Sequence, residues 1–141
     1  MLTPYLSVRG AADAIDFYRR AFDAVETFRF DDTDGRIGHA ELQIDGAALH
    51  LADEYPEAGH VGPETLGGSS VVLSLVVSDV DAVVARAVAA GATIVREVAD
   101  QFYGDRSGQI VDPFGHRWSI STPGEAMSLE EMHRRYQDEQ R

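Results

Sequence analysis

The 141-residue chain contains no cysteine and no lysine, so its 12 basic residues are all arginine. That excludes disulfides, thiolate metal sites, thiol nucleophiles, Schiff-base lysines and the lysine of a phosphate-binding P-loop. A formal net charge of −12 opposes phosphate backbones and anionic lipids, so neither a nucleic acid nor a membrane is expected as a partner.

A single domain of this length buries roughly 68–70% of its unfolded surface and needs no staples. The acidity either keeps the protein soluble or favours a cationic ligand. No apolar run approaches the ~20 residues of a membrane span. Met1-Leu2-Thr3-Pro4 lacks the basic and apolar regions of a signal peptide, which leads to an expected cytoplasmic location.

In chain order, Tyr5–Val8 reads as a short strand after Pro4. Ala11, Ala14, Ile15, Tyr18, Ala21 and Phe22 then recur at helical spacing. Residues 24–30 read as a strand, and Asp31–Gly35 as a turn. From Ile37 to Ile44 the pattern alternates, with Ala40, Leu42 and Ile44 on one face and His39, Glu41 and Gln43 on the other. Asp45-Gly46 is a two-residue hairpin turn into a strand over 47–52. Residues 53–69 carry two prolines and four glycines and read as a linker or a functional loop.

The order then repeats. Residues 70–77 form a valine- and leucine-rich strand. Ser78 or Asp79 caps a helix with Val80, Val83, Val84, Ala87 and Val88 on its apolar face, and Gly91 ends it. A strand over 92–98 follows, then a hairpin of residues 107–111 and 116–121 across Asp112-Pro113-Phe114-Gly115. Gly46 matches Gly115 in this repeat, which places His50 opposite Ser119. The architecture expected is α+β: two βαβββ repeats, about 3–52 and 70–122, forming a curved mixed-sheet cup. Neither repeat can bury its sheet alone. Ser128 and Glu131 then form a capping box for a C-terminal helix over about 128–139. Its narrow stripe of Leu129, Met132, His133 and Tyr136 is expected to dock on this subunit or on a partner.

The βαβββ duplication, with Ile15-Asp16-Phe17-Tyr18 in the first helix and Asp112-Pro113-Phe114-Gly115-His116 in the last hairpin, resembles the vicinal-oxygen-chelate superfamily of glyoxalases, bleomycin-resistance proteins and extradiol dioxygenases. Residues 35–42, Asp100–Arg106 and the tail around Glu130-Glu131-Met132 resemble its PhnB-like branch. The resemblance implies a homodimer. It also implies metal ligands from the first, fourth, fifth and eighth strands. Carried over, those positions are Pro4, His50, Val72 and Ser119, with Ser74 replacing Val72 if the fifth strand slips by two residues. His50 alone is a metal ligand, so the usual divalent site is not expected, and no other cofactor is either.

The remaining candidates are read from the residues themselves. His39 and Glu41 share a strand face ~6.8 Å apart, and counting back from the hairpin turn brings His50 near Glu41. Two imidazoles and a carboxylate could hold a metal or serve acid–base catalysis; the plainer alternative is a hydrogen-bonded group stiffening the cup wall. Arg106 could clamp an anionic ligand group beside the stacking aromatics Phe102 and Tyr103; alternatively it pairs with Asp105 or Asp112 while the aromatics plug one end of the cup. Ser74 points into the cup if Leu73 and Leu75 face the helices, whereas Trp118 is expected in the core and His116 in a structural role. The function expected is the binding of a small antibiotic-like or aromatic molecule without the usual metal. The alternative is a metal-dependent or acid–base lyase, isomerase or dioxygenase using His39, Glu41 and His50.

Overall fold

A computed structural model describes all of residues 1–141. Two four-stranded mixed sheets are present, one per repeat. The first has the order β1-β4-β3-β2, from β1 (Tyr5–Val8), β2 (Val25–Asp31), β3 (Ile37–Ile44) and β4 (Ala47–Asp53). The second has the matching order β5-β8-β7-β6, from β5 (Val72–Val76), β6 (Thr93–Asp100), β7 (Arg106–Val111) and β8 (Arg117–Thr122). In each sheet the first and last strands run parallel and the others antiparallel, as a βαβββ unit requires.

Helices α1 (Ala11–Phe22) and α3 (Val80–Ala89) cover one face of each sheet and touch each other. The two repeats start these helices in the same way. Asp53 at the end of β4 accepts from the Gly10 and Ala11 amides at 3.1 and 2.8 Å. Thr122, at the matching end of β8, accepts from the Val80 amide at 2.9 Å, while Asp79 caps Ala82. Helix α3 ends at Ala89 with Ala90 as its cap, so Gly91 lies one residue beyond the stop. In the β3–β4 turn both Asp45 and Gly46 have positive φ, which gives the strands the twist of a type I′ hairpin.

The core is one cluster shared by both repeats. Alternation puts Leu6, Val8, Ala40, Leu42, Ile44, Leu49 and Leu51 on the helix side of the first sheet. Leu73, Leu75, Ile110, Trp118 and Ile120 do the same in the second, so Trp118 lies in the core as its spacing indicated. Phe17, Tyr18 and Phe22 of α1 reach across to Phe114 and Trp118, with Phe22 and Trp118 ring centroids 4.7 Å apart.

The sheet faces away from the helices are open. They carry Tyr5, Phe28 and Phe30 on the first sheet and Val72, Ser74 and Val76 on the second. The segment 53–69 is more ordered than a plain loop. It contains a 3₁₀ turn over Pro56–Ala58 and a short helix, α2 (Pro63–Leu66), each opened by a proline. Helix α4 (Leu129–Glu139) is capped by Ser128, but Glu131 turns its carboxylate to Arg134 and Arg135 rather than back to the cap. Its apolar stripe buries no residue; Tyr136 of the stripe packs on Phe102, and the neighbouring Arg135 donates to the Phe102 carbonyl. No helix is long and apolar enough to cross a membrane.

Candidate functional site: an imidazole–carboxylate cluster on the first sheet

Strand register brings the polar candidates together. His39 and Glu41 are two residues apart on β3, and Glu41 is the direct partner of His50 on β4. Tyr5 on β1 is the direct partner of His50 on its other side. One row across the open face therefore reads Tyr5, His50, Glu41 and Phe28, with His39 and Phe30 paired in the neighbouring row.

The Glu41 carboxylate sits between the two rings: Oε1 is 3.4 Å from His39 Nε2 and 3.3 Å from His50 Nε2. The side chains of His39 and His50 are each 25% exposed and that of Glu41 is 35% exposed, so solutes can reach them. The Tyr5 hydroxyl lies 2.8 Å from Nδ1 of His39 and fixes that ring. Burial, and then the charge of Glu41, push the Tyr5 phenol upward, so it stays a neutral hydroxyl. Aromatic rings enclose His39: Tyr5, Phe28 and Phe30 have centroids 5.4, 6.2 and 6.5 Å away.

A groove of about 710 Å³ opens beside His39, lined by Tyr5, Phe30, Asp32, Tyr55 and His60 among others. Its outer wall is the loop after β4. There Tyr55 donates to Asp32, and the Arg36 guanidinium lies 3.8 Å over the Tyr55 ring. The bond to Asp32 is the main reason the Tyr55 phenol is pushed up to about 12. This volume lies within the usual range for small-molecule sites, and its lining mixes aromatic surface with a few polar groups.

The other sequence candidates lie elsewhere. Ser74 is exposed on β5 as alternation indicated, and it lines a narrow crevice of about 250 Å³ with Pro4, Ala48 and Trp118. Phe102 and Tyr103 sit in the β6–β7 turn; Tyr103 approaches Ser107, and Phe102 packs on Tyr136 of α4. Arg106 pairs with neither Asp105 nor Asp112. It makes two bonds to Asp81, of 2.8 and 3.0 Å, and a third to Asp100. Asp112 is buried instead, accepting from Tyr18, Trp118 and the Phe114 and His116 amides. His116 bonds the Ser7 carbonyl, a structural link between the repeats.

Register also corrects the positions carried over from the metal-dependent families. Tyr5, not Pro4, stands beside His50, and Ser74, not Val72, stands beside Ser119. A phenol, one imidazole and two hydroxyls do not make the divalent site of those families. Sequence reasoning missed the aromatic lining, although alternation against Leu6 and Val8 already places Tyr5 on the open face.

Residues 3–120 match the glyoxalase/bleomycin resistance protein/dioxygenase superfamily. The chain belongs to that superfamily. An uncharacterized protein of Mycobacterium bovis is 46% identical over 134 residues, which cover 93% of this chain and 88% of that one. The crystal structure of an Arabidopsis thaliana gene product is 30% identical, with a TM-score of 0.69, covering 86% of this chain and 97% of the other. A PhnB protein from Bacillus cereus also has a TM-score of 0.69, covering 86% and 98%, but at 17% identity it shares the fold alone.

Proposed function

We propose that this superfamily member binds a flat or aromatic, cationic small molecule on the open face of its first sheet, without the divalent site usual in the superfamily. The observation that carries the reading is the groove beside His39. Tyr5, Phe30 and Tyr55 give it stacking surface, and Asp31 and Asp32 give its rim the charge a cation favours. The net charge of −12 adds long-range attraction for such a ligand. Segments 35–42 and 100–106 support placement in the PhnB-like branch. The acidic, cysteine-free composition fits a cytoplasmic protein.

The exposed apolar residues on both open sheet faces support a homodimer. Phe28 and Phe30 are 42% and 59% exposed on the first sheet, and Val72 and Val76 are 41% and 55% exposed on the second. Packing of a second copy against part of these faces removes apolar surface from water.

Glu41 between two imidazoles favours a second reading as an enzyme. A carboxylate flanked by two groups that can carry a proton is suited to acid–base catalysis by a lyase or isomerase.

Thermal-shift and calorimetric screening with flat aromatic cations tests the binding reading. One or more such compounds should bind the wild type and lose affinity by roughly 5–150-fold in Tyr5→Ala and Phe30→Ala, since base-sized stacking contributes roughly 1–3 kcal/mol. Hits unaffected by either substitution place the ligand elsewhere.

A further inference from the structure

We infer that His39, Glu41 and His50 form a site for one first-row divalent transition ion, with a ligand set contained in β3 and β4 of a single repeat. This deepens the reading of the groove above, because His39 belongs both to that groove and to the proposed site.

The distances point to coordination rather than to hydrogen bonding. An N–H···O bond centres on about 2.9–3.0 Å. The two Nε2–Oε1 distances are 3.4 and 3.3 Å, outside that range. Donor atoms held ~2.0–2.1 Å from a tetrahedral ion are separated by roughly 3.3–3.4 Å. All three ligating atoms fall within 4.8 Å of one another. The Glu41 carboxylate thus has both imidazoles turned toward it at the spacing an ion between them demands.

Orientation supports the same conclusion. An imidazole binds a metal through the nitrogen that carries no proton. At His39 the Nδ1 side is engaged by the Tyr5 hydroxyl at 2.8 Å. With Nδ1–H donating to the phenol oxygen, the Nε2 lone pair is left facing Glu41. A partner on the second ring nitrogen is the usual companion of a metal-binding histidine. Tyr5 is in this sense a positioning residue.

The support is also rigid. Two donors alternate on one strand and the third is the cross-strand partner of the second, so the backbone ladder fixes their spacing. Two nitrogens and one carboxylate suit Zn, Fe, Co or Ni rather than Mg or Ca. Three ligands leave further positions open toward solvent and the groove.

The test is titration of the tag-free chain, stripped with a chelator and then dialysed free of it, with Co²⁺ followed by its visible absorption and with Zn²⁺ followed by calorimetry. One ion per chain is expected, with a Kd of about 1 µM or tighter. His39→Ala, His50→Ala and the nearly isosteric Glu41→Gln should each weaken binding by about 100-fold or more, and Tyr5→Phe by roughly 10–100-fold. His133→Ala, on the exposed tail helix, should titrate like the wild type. Circular dichroism and the urea midpoint identify which variants are folded, and the conclusion is drawn from those. Binding weaker than about 100 µM, or folded variants that bind like the wild type, overturns the metal site. The aromatic cations of the preceding screen are repeated in excess chelator. A persisting shift with a failed metal titration overturns the metal site alone, and the converse overturns the groove reading alone.

Discussion

The Tyr18 hydroxyl on α1 donates to Oδ2 of Asp112, the first residue of the β7–β8 turn, and so joins the two repeats through the core. Asp112 is 3% exposed and accepts three further bonds, from Trp118 Nε1 at 2.9 Å and from the Phe114 and His116 amides at 2.9 and 3.0 Å. A buried carboxylate is tolerable only when satisfied in this way. Burial, and then the charge of Asp112, hold the Tyr18 phenol well above its ordinary range, so it remains the donor at any physiological pH. Asp112→Ala leaves these donors unpaired and should cost about 3 kcal/mol or more. Tyr18→Phe removes one bond to a charged acceptor and should cost about 1.5–3 kcal/mol. Urea unfolding at constant m-value reads both. A shift below about 0.5 kcal/mol for Asp112→Ala contradicts the role given to the carboxylate.

Acid stability should carry the signature of Glu54. Its carboxylate accepts from the Thr65 hydroxyl, the Gly62 amide and Arg9, and these bonds, in that order of size, lower it to about 2 from an ordinary 4.5. A carboxylate lowered in the folded state favours folding fully above its ordinary value, and that contribution declines as pH falls from about 4.5 to about 2. Urea midpoints measured at steps through this window should fall, and Glu54→Gln should flatten the decline. Glu131 is lowered equally, to about 2, but it belongs to an exposed helix. Glu131→Gln should therefore leave the acid profile of the body unchanged.

Gly62 allows the same segment to lie against β1. A Cβ at this position stands 2.6 Å from the Ser7 carbonyl oxygen, which is backbone and cannot swing away. Gly62→Ala should therefore destabilise by roughly 1–3 kcal/mol. Tyr55 and His60 of the groove wall belong to this segment, so the variant should also bind groove ligands more weakly at temperatures well below its melting point. A variant as stable as the wild type shows that the segment can lift from β1 at little cost.

The sequence exposed the parts of this molecule that follow local rules. Alternation over Ile37–Ile44 separates His39 and Glu41 from Ala40 and Leu42, and the two-residue turn at Asp45-Gly46 fixes the pairing of Glu41 with His50. Three features escaped because they depend on long-range placement. Register shifts in β2 interrupt its alternation, so Phe28 and Phe30 do not announce that they share the face of His39. Asp112 reads as a turn residue, and nothing local indicates that Tyr18 and Trp118 close over its carboxylate. The partner of Arg106 is Asp81 on α3, 25 residues away, whereas local reading offered only Asp105 and Asp112.

The position of Arg106 yields the prediction that best separates the two ligand sites considered from sequence. Its guanidinium holds Asp81 in a two-bond pair and Asp100 in a third contact; the bond from Arg106 lowers Asp81, and the two carboxylates occupy the donor fork that a bound anion needs. A ligand carboxylate or phosphonate has to displace Asp81 to be clamped there. The groove beside His39 includes neither Arg106, Phe102 nor Tyr103 in its lining. Arg106→Ala should therefore leave the affinity for groove ligands and the metal titration unchanged, with little movement of the urea midpoint because the ion pairs are exposed. Phe30→Ala should instead weaken ligand binding, likewise with little change in stability. If Arg106→Ala abolishes binding while Phe30→Ala preserves it, the ligand sits at the β6–β7 turn, and the open face of the first sheet is not its site.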